Sequence, residues 1–265
     1  MSWLANRIES LITVIARLQR IGARWRNNTA TVSPTGEVLA RHTDRLAAMT
    51  SGQRDAPDPL SHTGVFVQPD ETTCGSSSLV MARMLNDRAY AMRILTGYDP
   101  GTGTQAGDPA DIAGRFKRDV VAMHNQTSSV ITHDGRLNGW WPKAWGTSPG
   151  AAARQMNGGT GLSGVPGTRY VVRYVDKANR AASFDAIVRA ARDGHAVPVF
   201  TYDIRNANGH SGAHVTLVVG ATSDILRVYE PGVGRVTDVT REAFCHARLR
   251  DSMGWDRPGA AVLPA

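Results

Sequence analysis

Cysteine is nearly absent from this chain: Cys74 and Cys245 are the only two among 265 residues. That is too few for a disulfide framework, and a reducing compartment is the natural default. No hydrophobic run approaches the roughly 20 residues that span a bilayer, and the first residues lack the apolar core and small-residue cleavage site of a secretory signal. The expected location is therefore cytoplasmic, with leaderless export left open. Lysine is scarce too. Lys117, Lys143 and Lys177 are the only lysines among 30 basic residues, so the net charge of +7 is arginine spread along the chain. With no zinc-finger spacing, no RNA-binding aromatic motif and no basic run interleaved with aromatics, nucleic acid is not an expected partner. Cofactor and metal signals are also missing. The Gly-rich stretch Tyr98 to Asp108 lacks the Lys-Ser/Thr ending of a phosphate-binding loop and reads as a surface loop. His210 and His214 stand four apart, but the glycines around them disfavour the helix a zinc pair would need.

Against this background one segment stands out, Gln68-Pro69-Asp70-Glu71-Thr72-Thr73-Cys74-Gly75-Ser76-Ser77-Ser78-Leu79-Val80-Met81. Thr72 or Thr73 reads as an N-cap, and Leu79, Val80, Met81, Met84 and Leu85 form the body of a mostly buried helix. Cys74 then falls in the first turn, where helix amides and a nearby imidazolium favour the thiolate, the nucleophilic form. Gln68, on the approaching loop, is placed to donate its side-chain amide to an oxygen that gains charge when a carbonyl is attacked.

A partner for such a thiol lies far away in sequence, as this chemistry requires. Ser183 to Arg192 reads as an amphipathic helix stopped by Gly194, followed by a strand from Ala196 to Tyr202. His214 to Gly220 is a second strand, turning at Thr222-Ser223-Asp224 into a third, Ile225 to Glu230. Pairing Gly220 with Ile225 sets His214 opposite Glu230 or Pro231. A carboxylate there would hold the imidazole in one tautomer and stabilise its protonated form.

The Gln-x5-Cys-Gly segment, with its small residues and Leu-Val-Met, resembles the nucleophile segment of papain-like cysteine peptidases, and is most similar to their bacterial C39-like branch. The later order of helix, Gly, strand, Gly-Ala-His strand, turn, and strand ending in acid-Pro-Gly resembles the second half of the same peptidases. The resemblance covers about Gly64 to Leu85 and Ser183 to Val236. It implies an α+β, papain-like fold in which a helical half carries the cysteine and an antiparallel sheet carries the histidine. It also implies Cys74 as nucleophile, His214 as general base and acid, Glu230 as orienter, and Gln68 as oxyanion donor with the Cys74 amide. Glu230 departs from the family, which more often has Asp or Asn there. The implied activity is hydrolysis of a peptide or isopeptide bond in a peptide or protein substrate, without a cofactor or a metal. Acyl transfer, transpeptidation, deamidation, or peptide binding without catalysis remain open on the same fold.

Three features lie outside that resemblance. Leu4, Ile8, Leu11, Ile15, Leu18 and Trp25 recur at helical spacing with Arg17, Arg20 and Arg24 opposite, which predicts an amphipathic helical extension over residues 1–50. Residues 3–25 are candidates for packing on the chain's own domain, for a helix–helix seam or for a membrane surface. Residues 51–61 then form a linker into a catalytic domain at 62–265. Three tryptophans gather in Trp140 to Pro149, as loop packing or as a lining for the substrate cleft. Cys245, after the helix-start signal Thr240-Arg241-Glu242, reads as structural.

Overall fold

The computed structural model describes residues 58–129, 143–157, 163–203 and 212–265. The expected N-terminal extension with its contact face at residues 3–25, most of the linker, Trp140, Trp141 and His210 lie outside the described residues.

Helix α1, Cys74–Asn86, begins where the sequence places it. Ser76, Ser77, Ser78, Leu79, Val80, Met81 and Met84 are all at most 1% exposed, so small residues at its start let other backbones approach while larger ones fill the core. Each fully buried Leu, Val or Met side chain contributes about 1.5–3 kcal/mol. Asp87 ends α1 and also caps α2, Arg88–Thr96, by accepting the Tyr90 amide. Helix α3, Ile112–Ser128, is capped by Asp111. Helix α4, Pro149–Met156, starts with a Ser148 cap and proline in its first turn. Between α2 and α3 the Gly-rich loop folds as a short hairpin of two-residue strands, β1 (Tyr98–Asp99) with β2 (Thr104–Gln105).

The rest of the chain builds a six-stranded antiparallel sheet from β3 (Tyr170–Tyr174), β4 (Val197–Asp203), β5 (Gly212–Ala221), β6 (Ile225–Glu230), β7 (Arg235–Thr240) and β8 (Arg257–Pro264). Its order is β3-β8-β4-β5-β6-β7. The last strand is thus inserted between the first two, a pairing that no local pattern announces. Helices cover both faces. Phe200, Val215, Leu217, Tyr229, Ala260 and Val262 pack toward α1 to α4. Val197, Val199, Val218, Leu226, Val228 and Ala261 pack toward α5 (Arg180–Arg192), α6 (Arg241–Cys245) and α7 (Arg250–Met253). Burial on two sides explains why β4, β5 and β8 read as nearly continuous apolar runs rather than as alternating strands. Among the described residues no helix is long and apolar enough to cross a membrane.

The β5–β6 hairpin forms with a register shifted from the expected one. Leu217 pairs with Tyr229 and Val218 with Val228, whereas Gly220 pairs with Arg227 and Ala221 with Leu226, so Val219 is an extra residue in β5. Continued one step, this register sets Glu230 opposite Thr216 rather than His214.

Candidate active site

Two contacts lock α1 to the strand that carries His214. The Ser78 hydroxyl donates to the Val215 carbonyl at 3.2 Å, and a Cβ at Gly75 would lie 3.4 Å from Val215 Cγ2. Cys74, the first residue of α1, thereby faces His214, the third residue of β5. The cysteine is 5% exposed.

Three of the four expected site residues come together. His214 Nε2 donates to Glu230 Oε1 at 2.6 Å, and Cys74 lies near enough to the same ring to act on it electrostatically. Burial by itself would lower the His214 pKa, but the hydrogen bonds and charges of Cys74 and Glu230 outweigh it and push it up to about 10. The ring is therefore an imidazolium across the neutral range, held between sulfur and carboxylate.

The longer arm of glutamate has a geometric reason here. From the position opposite Thr216, Glu230 reaches His214 diagonally across the hairpin, a separation of about 7–8 Å between such positions. The extra methylene helps span that gap. Glu230 Oε1 also accepts the Gly232 amide at 2.8 Å, while the buried Oε2 has no partner. Asp224 sits in the turn at the other end of this hairpin, and Asp238 pairs with Arg227 on β7; neither end of the strand pair brings them to His214.

Gln68 is held close by but oriented differently. Its backbone amide donates to the Pro231 carbonyl at 2.8 Å, next to Glu230, so the loop before Cys74 is tied to the end of β6. Gly64 bonds Gly234 in the same way, and the Tyr229 hydroxyl donates to the Phe66 carbonyl at 2.5 Å. The side chain donates through Nε2 to the Asp70 carbonyl at 2.7 Å, with Oε1 buried and unpartnered. One of the two Nε2 hydrogens is thus engaged within the loop. Thr73 occupies the N-cap position without capping: its hydroxyl donates to the Asp70 carbonyl, and among the described residues no side chain is bonded to the first-turn amides of α1. The Asp70 carboxyl is raised by its burial, yet bonds from the Thr72 hydroxyl and amide outweigh this and hold it below the usual range.

Sequence reasoning missed two supporting residues. Gly254, which ends α7 with φ +75°, lies against the His214 side chain; a Cβ there would be 2.9 Å from Cδ2. Thr147 is wedged against the nucleophile's turn, with its Cβ 2.6 Å from a Cβ at Gly75 and its hydroxyl bonded to Ser76 at 3.1 Å and Thr127 at 3.0 Å. A glycine after a short helix was a visible signal for a turn at 254, but nothing local ties it to a histidine 40 residues earlier. Cys245, half-buried at the end of α6, is remote from this cluster in the fold, and among the described residues no group of His, Cys, Asp and Glu is arranged to hold a metal.

Fold and site together define an α+β protein with a cysteine, histidine and glutamate cluster between a helix start and an antiparallel hairpin. No protein-family model and no curated protein matches the chain.

Proposed function

We propose that this chain is a thiol-dependent acyl-transfer enzyme of the papain-like type, a cysteine peptidase that hydrolyses a peptide or isopeptide bond through a thioester on Cys74. The observation that carries the reading is the His214 ring, bonded to Glu230 at 2.6 Å and electrostatically coupled to the neighbouring Cys74. Nucleophile, base and orienter in that sequence of contacts are the recurring parts of covalent acyl transfer.

In this cycle the Cys74 sulfur, its proton on His214, attacks the carbonyl carbon. The oxyanion is met by the uncapped amides at the start of α1 and by the second Nε2 hydrogen of Gln68. His214 gives its proton to the leaving amine, and the C–N bond breaks to leave the thioester. Water then attacks with His214 as base, releasing the acid and restoring the thiol. An amine in place of water turns the same cycle into transpeptidation, and a glutamine side chain as donor turns it into deamidation.

An activated acyl ester tests this by intact-mass spectrometry. The reading expects an adduct on Cys74 that forms and decays in the wild type and slows sharply in His214→Ala. Acylation at the same rate in that variant, or preferentially on Cys245, would contradict it.

A further inference from the structure

Asp70 stands on the surface, yet the polar groups of the loop from Gln68 to Thr73 converge on it. Its Oδ1 accepts the Thr72 amide at 2.8 Å and the Thr72 hydroxyl at 2.7 Å, which closes a turn through the aspartate side chain. Its amide donates to the Thr73 hydroxyl at 3.1 Å, and that hydroxyl donates back to the Asp70 carbonyl at 2.9 Å. The same carbonyl accepts Gln68 Nε2 at 2.7 Å.

Two consequences bear on the start of α1. A threonine at an N-cap ordinarily turns its hydroxyl onto an amide of the first turn and stabilises the helix by it. Thr73 forgoes that bond: with φ −101° and ψ 7° it lacks the extended backbone of a capping residue, and its hydroxyl is committed to Asp70. The helical ladder opens with the Ser77 amide on the Thr73 carbonyl at 2.8 Å. The amides of Cys74, Gly75 and Ser76 precede it, and among the described residues no side chain caps them. Gln68, meanwhile, is held at both ends, its backbone amide on the Pro231 carbonyl at 2.8 Å and its Nε2 on the Asp70 carbonyl. Donors fixed in advance around a developing negative charge stabilise it most. One side chain keeps the helix amides open and the glutamine fixed, that of Asp70.

We propose that Asp70 is a positioning residue for the oxyanion: by closing the turn on Thr72 it sets its carbonyl to hold Gln68 Nε2 and to keep the Thr73 hydroxyl off the α1 amides. This rests on the acyl-transfer reading, to which it adds a residue that acts only through others.

The test sets two reactions of Cys74 side by side, each followed by intact-mass spectrometry. Acylation by p-nitrophenyl acetate sends an electron pair onto the carbonyl oxygen before nitrophenolate leaves, so it draws on those donors. Alkylation by iodoacetamide displaces iodide from a methylene, and no oxygen gains charge. Asp70→Ala should slow acylation by about 10- to 100-fold, short of the roughly 10²–10³ that follows outright loss of a donor, because the donors remain and are only misplaced. Its alkylation should keep the wild-type rate. Asp70→Asn, whose Oδ1 can still accept both Thr72 bonds, should acylate at close to the wild-type rate. If both reactions slow together in Asp70→Ala, Asp70 is a support for the whole turn and the assignment is overturned. Unchanged acylation in Asp70→Ala, or an Asp70→Asn protein as slow as Asp70→Ala, also overturns it while the enzyme reading stands. A wild type that forms no acetyl adduct on Cys74 removes the enzyme reading, and this one with it.

Discussion

Replacing Glu230 isolates the charge that the hairpin brings to His214. In Glu230→Gln the amide oxygen can keep both bonds of Oε1, to His214 Nε2 and to the Gly232 amide. The new NH2 then falls where the buried Oε2 now has no partner. An unsatisfied buried donor costs about 1–3 kcal/mol, so a modest loss of stability is expected with the fold intact. The larger effect is on the ring. A hydrogen bond to a charged group contributes about 1.5–3 kcal/mol, and 1.36 kcal/mol corresponds to one pH unit. The alkaline inflection set by His214 should therefore move down by about 1–2 in pH, because the Cys74 contribution remains. The assay is the pH profile of Cys74 alkylation, followed site by site by mass spectrometry. Glu230→Ala should shift the profile further, since the ring also loses its tether. Glu230→Asp is the sharper control: with the carboxylate reaching diagonally from opposite Thr216, the shorter arm should fail to make contact and behave more like alanine than like wild type. Wild-type profiles in all three variants would make Glu230 a bystander, and an Asp variant that works normally would contradict the diagonal geometry.

Other outcomes follow from the same contacts. His214→Ala should slow Cys74 labelling at neutral pH and leave the profile of an unassisted thiol, inflecting near 8.5; an unchanged profile would separate the two residues. Because the folded-state pKa of His214 lies above its ordinary value of 6.5, at about 10, the folded chain holds a proton that the unfolded chain has lost in that window. Stability should be fullest below about 6.5 and fall as pH rises toward 10, a slope that urea titrations should show flattened in His214→Ala. Gly254→Ala adds a Cβ 2.9 Å from His214 Cδ2 at a positive φ, a strain of about 1–3 kcal/mol. Both melting temperature and Cys74 labelling should drop, and unchanged labelling would mean that Gly254 does not set the ring.

What the sequence made legible was local. The helix start at Cys74, the Ile225–Glu230 strand and the helix ending at Arg192 are written in caps, apolar spacing and turn residues, and the structure has them there. Non-local features were not. The extra residue at Val219 shifts the hairpin register, and whether a strand bulges depends on what packs against it. The insertion of β8 between β3 and β4 pairs segments far apart in sequence, and α2, α4 and β3 carried no pattern that was read in advance. Thr73 had the residue type for a cap, yet its hydroxyl serves Asp70, one of several local bonds open to a threonine. Cys74, His214 and Glu230, which the fold brings together, could each be named from their own segments. The diagonal carboxylate and the glycine beside His214 could not.

Competition between the two cysteines for iodoacetamide at neutral pH tests the account most directly, because exposure and activation favour opposite residues. Cys74 is 5% exposed and Cys245 is half-buried. Access alone would therefore label Cys245 first. An imidazolium beside the sulfur should reverse that order, with Cys74 labelled much faster in the wild type and the preference lost in His214→Ala. Faster labelling of Cys245 in the wild type, or a preference for Cys74 that survives the loss of His214, would contradict the account.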